Sequence, residues 1–303
     1  MNPVKDMNFT GKESAEEIIK AMSEGGGFSA KDLADGVKIL KEGLNEKGSL
    51  RILSFPAAII STGVRGIIAD MCKSKAFDLI ITTCGTLDHD IARRFEDYYH
   101  GDWSLDDKEL HKKGLNRIGN VIAPNESYGE IIEKKMAEIL KEIGEKEIST
   151  HELCREIGKN LNDSSILYWC YKNKIPVIVP GITDGAVGYQ LWQWMQDHKL
   201  RVNVFSDETL LSNLVWESKK RGALIIGGGI SKHHVIWWSQ FKGGLDWAVY
   251  VTTAVERDGS LSGALPKEAI SWGKISEKAK TATVYADATI ALPLMWAALK
   301  RGL

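Results

Sequence analysis

Lys274 stands between Gly273 and Ile275 at the end of TAVERDGSLSGALPKEAISWGKI, a segment running from 253 to 275. Rich in glycine and serine, the segment still carries Glu256, Asp258, Glu268 and Trp272. Carboxylates attract a cationic amine, and an indole face adds a cation–π attraction of about 0.5 to 2 kcal/mol. A lysine desolvated in such a setting loses its proton readily and can form a Schiff base. An isolated lysine is ordinarily a solvated surface charge; the density of functional groups around Lys274 argues otherwise. A second segment, GGGISKHH (227 to 234), follows an apolar run and opens a helical pattern, so its free N–H groups and helix dipole suit a phosphate. Its glycine spacing is neither that of a P-loop nor GxGxxG, and a simple packing turn is the competing reading. His233 and His234 diverge by roughly 100° on a helix, so at most one faces a site, where it could act as a base toward an amine.

The elements that must position these residues are legible as short apolar runs: LRILSF (50 to 55), FDLIITT (77 to 83), IPVIVP (175 to 180), GALIIG (222 to 227), WAVYVTT (247 to 253) and TATVYA (281 to 286). Continuous apolar strands alternating with helical patterns predict an α/β fold, a doubly wound, mostly parallel sheet covered on both faces. Ahead of it, residues 1 to 49 predict a helical N-terminal arm: one helix over Ser14 to Met22, and a second capped by Ser29 and running through Leu44. Without repeat or linker, 1 to 303 is expected to form a single domain, with 50 to 303 as its core. The polar stretch from His100 to Asn125 predicts a long surface excursion. Ligands in such folds gather at the carboxyl ends of parallel strands. Those ends read Thr82-Thr83-Cys84-Gly85, Pro180 to Gly185 with Asp184, Gly227-Gly228-Gly229, Thr252-Thr253-Ala254 and Ala286-Asp287. Five ends with small residues and hydroxyls favour a nucleotide-sized site.

Composition narrows the partners. With 44% apolar residues, 26% charged residues and a net charge of -1, the chain has no cationic excess for nucleic acid. It shows no signal-peptide run and no bilayer-length apolar span, which predicts a cytoplasmic protein. Cys72, Cys84, Cys154 and Cys170 lie far apart without metal-ligand spacing, so reduced buried thiols and no metal are expected.

GGGISKHH, the DWAVYVTTA strand, DGSLSGALPKEAISWGKI and VYADATIALPL resemble deoxyhypusine synthase in order and spacing, and VPGITDGAVG (179 to 188) and the TTCG turn before LDHD (87 to 90) extend the match upstream. The resemblance covers roughly Leu50 to the end. It implies an NAD-dependent transferase of hypusine biosynthesis: hydride leaves spermidine for NAD, Lys274 holds the resulting butylimine, and the acceptor lysine of translation factor 5A takes the group. Lys274 is then the covalent catalyst, Lys232 is not, and His233 is the base that helps hydride leave. Trp272 and Glu268 line the amine tunnel. NAD is met by Thr83, Cys84, Gly85, Asp184, Gly227, Gly228, Thr253, Ala254, Asp258, Ser262, Ala286 and Asp287. The family is a homotetramer, a dimer of dimers, with active sites shared across a dimer contact.

Some positions depart from the eukaryotic pattern. Ala57-Ala58 replaces a Ser-Asn pair at the cofactor, His89, Tyr189 and Leu261 replace acidic residues along the polyamine tunnel, and Trp237 replaces an asparagine. The GSLSGA (259 to 264) and Trp237-Trp238 forms resemble the archaeal branch, with His89 and Tyr189 as substrate-binding positions. Fewer acidic partners leave agmatine or another amine as alternative donors to spermidine. Two other functions share the motif: homospermidine synthesis, with a free diamine as acceptor, and a catalytically silent NAD-binding relative, against which Lys274, Trp272, Glu268 and His233 together argue.

Overall fold

The computed structural model describes residues 1–300. The chain divides into two compact units, the first of Met1–Phe55, Ala76–Ile81 and the described residues from Leu210 onward, the second of Pro56–Lys75 and Thr82–Thr209.

In the first unit, five parallel strands lie in the order Ile275–Tyr285, Leu245–Thr252, Lys220–Ile226, Ser49–Ser54 and Leu79–Ile81. One row of the register runs Ala282, Val249, Leu224, Leu53, Ile80. All of these but Ala282 are buried, as continuous apolar strands between two covered faces must be. Another row joins Val284, Val251 and Ile226, which sets Gly227, Thr252 and Tyr285 beside one another at the carboxyl edge. The predicted strands are all present, and the mostly parallel α/β architecture is the expected one.

The helical arm lies against this sheet. Ser14 caps the helix Ala15–Gly25 through a capping box with Glu17. The next helix spans Phe28–Leu44 with Gly27, not Ser29, at its cap, because the left-handed Gly26 ends the first helix so late that Ser29 already falls inside the second. Close packing depends on two glycines: a Cβ on Gly43 would come within 2.3 Å of the Trp247 indole, and one on Gly222 within 1.8 Å. The ring fills the space both leave empty and is itself 3% exposed.

The second unit is mainly helical, with Val64–Lys73, Cys84–Phe95, Ile131–Ile143, Thr150–Lys159, Ile166–Asn173 and Ala186–Asp197 as its principal helices. The IPVIVP strand contracts to Val177–Ile178. The excursion from His100 to Asn125 is more ordered than expected. It holds a helix, Asp107–Lys112, and a three-stranded antiparallel sheet of Tyr99–His100, Val121–Pro124 and Leu115–Ile118. A Gly119-Asn120 turn joins the last two strands, with Gly119 left-handed at φ 59°, and Ile122, Ala123 and Leu110 are buried beneath the polar residues that hide the pattern in sequence. No helix among the described residues is long and apolar enough to cross a membrane.

Candidate active site

A short helix, Pro266–Ser271, begins with proline at its first position, where a missing N–H costs nothing. Past its C-cap, Trp272, Gly273 is left-handed at φ 67° and turns the chain into the strand Ile275–Tyr285. Lys274 sits at that turn, its N–H donating to the Ala269 carbonyl (3.0 Å) and its carbonyl accepting from Leu245 (3.1 Å). Its ammonium lies 5.3 Å from the Trp272 ring centroid and 5.7 Å from that of Trp237, so two indoles flank it. Trp237 comes from the helix Gly229–Ser239 and stacks on His233, with centroids 5.7 Å apart. Desolvation first and the charge of Lys274 second lower the His233 pKa, which favours the neutral imidazole a base requires.

Lys274, Trp272 and Glu268 open onto one cavity of about 160 Å³, whose wall also includes Lys232, Tyr250 and Leu261. The cavity thus contains two lysines with different surroundings. Lys232 is 1% exposed, and its ammonium donates to the carbonyls of Leu261 (2.7 Å) and Ala264 (2.8 Å). Burial lowers its pKa to about 8, against the opposing pull of Glu268. Acidity alone would nominate Lys232 as the nucleophile; its engaged nitrogen argues against it, and half-exposed Lys274 is the lysine with a clear approach. The sequence picked out Lys274, His233, Trp272 and Glu268, which the fold brings together. It counted Trp237 only as a departure and passed over Tyr250, a buried aromatic in an apolar strand whose hydroxyl has no hydrogen-bond partner. That strand pattern carries no signal that the ring lines a cavity.

The predicted cofactor residues of this unit form one edge. Gly227 N–H donates to Val251 O (2.8 Å), Ala286 N–H to Thr252 O (3.1 Å), and Ala254 N–H to the Thr252 hydroxyl, which donates to Ser262 O (3.1 Å). A Cβ on Gly228 would fall 2.1 Å from Ser262 Oγ, so the loop and the glycine turn meet only because that residue is glycine. No side chain caps the helix Gly229–Ser239, which leaves first-turn N–H groups for an anion. Thr253 is exposed here, while Asp258 accepts from Ser260 N–H and Asp287 from Thr289 N–H.

In the second unit, Thr83, Cys84 and Gly85 open the helix Cys84–Phe95, again with no side-chain cap. Gly85 packs on Ala57: a Cβ there would lie 2.8 Å from the alanine methyl. Burial, with the Asp88 charge beside it, pushes the Cys84 thiol up to about 12, so it stays protonated. All four cysteines are free and buried, as expected. Asp184 is exposed. The LDHD residues turn inward. Asp88 accepts from Ala186 N–H (2.9 Å), Val187 N–H (2.8 Å) and the Tyr128 hydroxyl (2.7 Å). Asp90 accepts from Arg65, the Ser165 hydroxyl and the N–H groups of Ile166 and Leu167. His89 is buried, bonds Tyr98 through Nδ1 (2.9 Å) and is pushed by desolvation to a pKa of about 4. Tyr189 is 55% exposed and touches Trp192.

The sequence model of the family "Deoxyhypusine synthase" matches residues 17–299. A relative from Picrophilus torridus named "Probable deoxyhypusine synthase" is 52% identical over 297 residues, 97% of this chain and 95% of the relative. One of the same name from Ignicoccus hospitalis is 48% identical over 302 residues, covering 97% and 94%. The fold is similar to the crystal structure of an Entamoeba histolytica protein designated a candidate deoxyhypusine synthase, with a TM-score of 0.65 at 20% identity over 96% of this chain and 95% of that one. Full-length similarity at this level, joined to the lysine pocket, leads to one conclusion: the chain belongs to the deoxyhypusine synthase family, a family of transferase enzymes.

Proposed function

We propose that this chain transfers a 4-aminobutyl group from spermidine or a related amine to the acceptor lysine of the translation factor 5A precursor, through an imine on Lys274. The observation that carries this reading is Lys274 itself, set between Trp237 and Trp272 above a cavity with one carboxylate, Glu268, while the other lysine is hydrogen-bonded away. The indole faces and Glu268 hold the cationic amine beside Lys274. His233, kept neutral by desolvation and the nearby ammonium, takes the proton from the donor's nitrogen. Lys274 then displaces the leaving diamine and later gives the group to the acceptor amine, which only a residue able to be a neutral amine can do.

NAD is the cofactor this chemistry implies, as the carrier that accepts a hydride and returns it. The residues of the first unit fit it: the uncapped helix N-terminus at Gly229 offers N–H groups to a phosphate, and the Gly227-Gly228 turn lets the backbone come close. The amine cavity adjoins this edge, since its wall residue Leu261 precedes Ser262, which packs on Gly228, and Lys232 lies three residues past Gly229. A homotetramer, a dimer of dimers with active sites shared across a dimer contact, is part of the same reading, carried over from the family.

The test is to incubate the protein with NAD and labelled spermidine, add borohydride, and map the modified peptide. An aminobutyl-sized adduct on Lys274, discharged by the 5A precursor, is the expected result. Label found on Lys232, or transfer to putrescine alone, would sink this reading.

A further inference from the structure

Lys232 carries a charge where charge is costly, and its contacts say why it is there. An ammonium has three donors. Two reach the carbonyls of Leu261 and Ala264, and the nitrogen stands 4.1 Å from the centroid of the Tyr250 ring. Neither carbonyl belongs to a helix or strand. Both lie in the connection between the strand Leu245–Thr252 and the helix Pro266–Ser271, either side of Ser262, whose own carbonyl accepts from Thr252. Three carbonyls within four residues are thus held by side chains from the sheet strand and its adjoining helix. Ten residues after Ala264 the chain reaches Lys274, having passed Glu268 and Trp272.

We propose that Lys232 is a positioning residue, which fastens the 261–264 turn and so sets Glu268, Trp272 and Lys274 over the cavity. The proposal rests on the reading of Lys274 as the covalent residue. It accounts for a buried cation that neither attacks nor binds: the nitrogen is occupied by backbone that a shorter or uncharged side chain would release. The chain leading into the turn gives it no support, since Val255 to Ser260 are exposed and Gly259 is left-handed at φ 76°, so the turn is held by Lys232 together with Thr252 and the packing of Ser262 on Gly228. A lowered pKa adds a readout, because the fastening weakens as Lys232 loses its proton near pH 8.

The experiment uses the full chain with NAD and labelled spermidine, comparing wild type, Lys232→Met and Lys232→Arg. Two quantities are read: the rate of borohydride-trapped adduct on Lys274, and hydrogen exchange of the 255–265 and 245–252 amides. Lys232→Met is expected to lose protection over 255–265 alone and to form adduct at least tenfold more slowly. Arginine keeps donors and charge, so it should restore part of the rate, and the fall in rate with rising pH near 8 that is expected of the wild type should be absent from it. A wild-type adduct rate in Lys232→Met overturns the proposal. So does a loss of protection that extends through 245–252, since Lys232 would then support the core and not the loop. If wild type itself gives no adduct, the reading of Lys274 fails instead, and the exchange result still reports whether Lys232 fastens the turn.

Discussion

SWGK in the first unit and LDHD in the second are comparably polar in sequence, yet the fold uses them in opposite ways. Around Lys274 the polar groups are left free: Glu268 and Trp272 are exposed, Lys274 is half-buried, and a cavity opens beside them. The polar side chains of LDHD itself are engaged within the unit. Asp88 caps the helix Ala186–Asp197, Asp90 caps the helix Ile166–Asn173 and binds Arg65, and His89 bonds Tyr98. The difference teaches that an acidic motif near a predicted site can be the framework of the site instead of its chemistry. Two aspartates in one helix, two residues apart, hold the starts of two other helices.

The contrast can be broken most sharply at Lys274. Lys274→Arg keeps the charge but supplies no neutral amine, so transfer should fall by about a thousandfold or more, with no trapped adduct. Calorimetry should find cofactor binding retained, and an active Arg variant would place the covalent step elsewhere. Unfolding in urea should show almost no change, since the side chain makes no buried hydrogen bond.

Asp90→Ala should behave in the reverse manner. It strands a buried Arg65 and two helix N–H groups, and should lower stability by roughly 3 to 5 kcal/mol, read as a shift in the urea midpoint. A cost below about 1 kcal/mol would mean that this network is not the framework described.

The smallest effect concerns pH. His89 has a folded pKa of about 4, below its ordinary 6.5. The unfolded chain therefore binds the proton more readily, so stability falls as pH drops from about 6.5 towards 4 and is restored as pH rises. The full loss is roughly 3 kcal/mol below pH 4. His89→Asn should remove that slope from urea titrations between pH 4 and 7; an unchanged slope would assign the acid sensitivity to other groups.

Much of this was legible in the sequence. The six strands announced themselves as apolar runs, the glycine turn at Gly227 as a strand end, and Lys274 through neighbours within six residues of it, because all of these depend on local pattern. Tertiary structure alone decided the rest. Lys232 reads as an ordinary lysine until Leu261 and Ala264, some thirty residues on, are folded over it. Asp90 meets its helix 75 to 77 positions away. The Trp247 indole lies in space left by Gly43 and Gly222, and the antiparallel strands after His100 hide under polar residues. Spacing in the chain fixes which groups can share a helix face or a turn. Whether a group is left free or engaged depends on which distant segment covers it, and that is a property of the packed molecule.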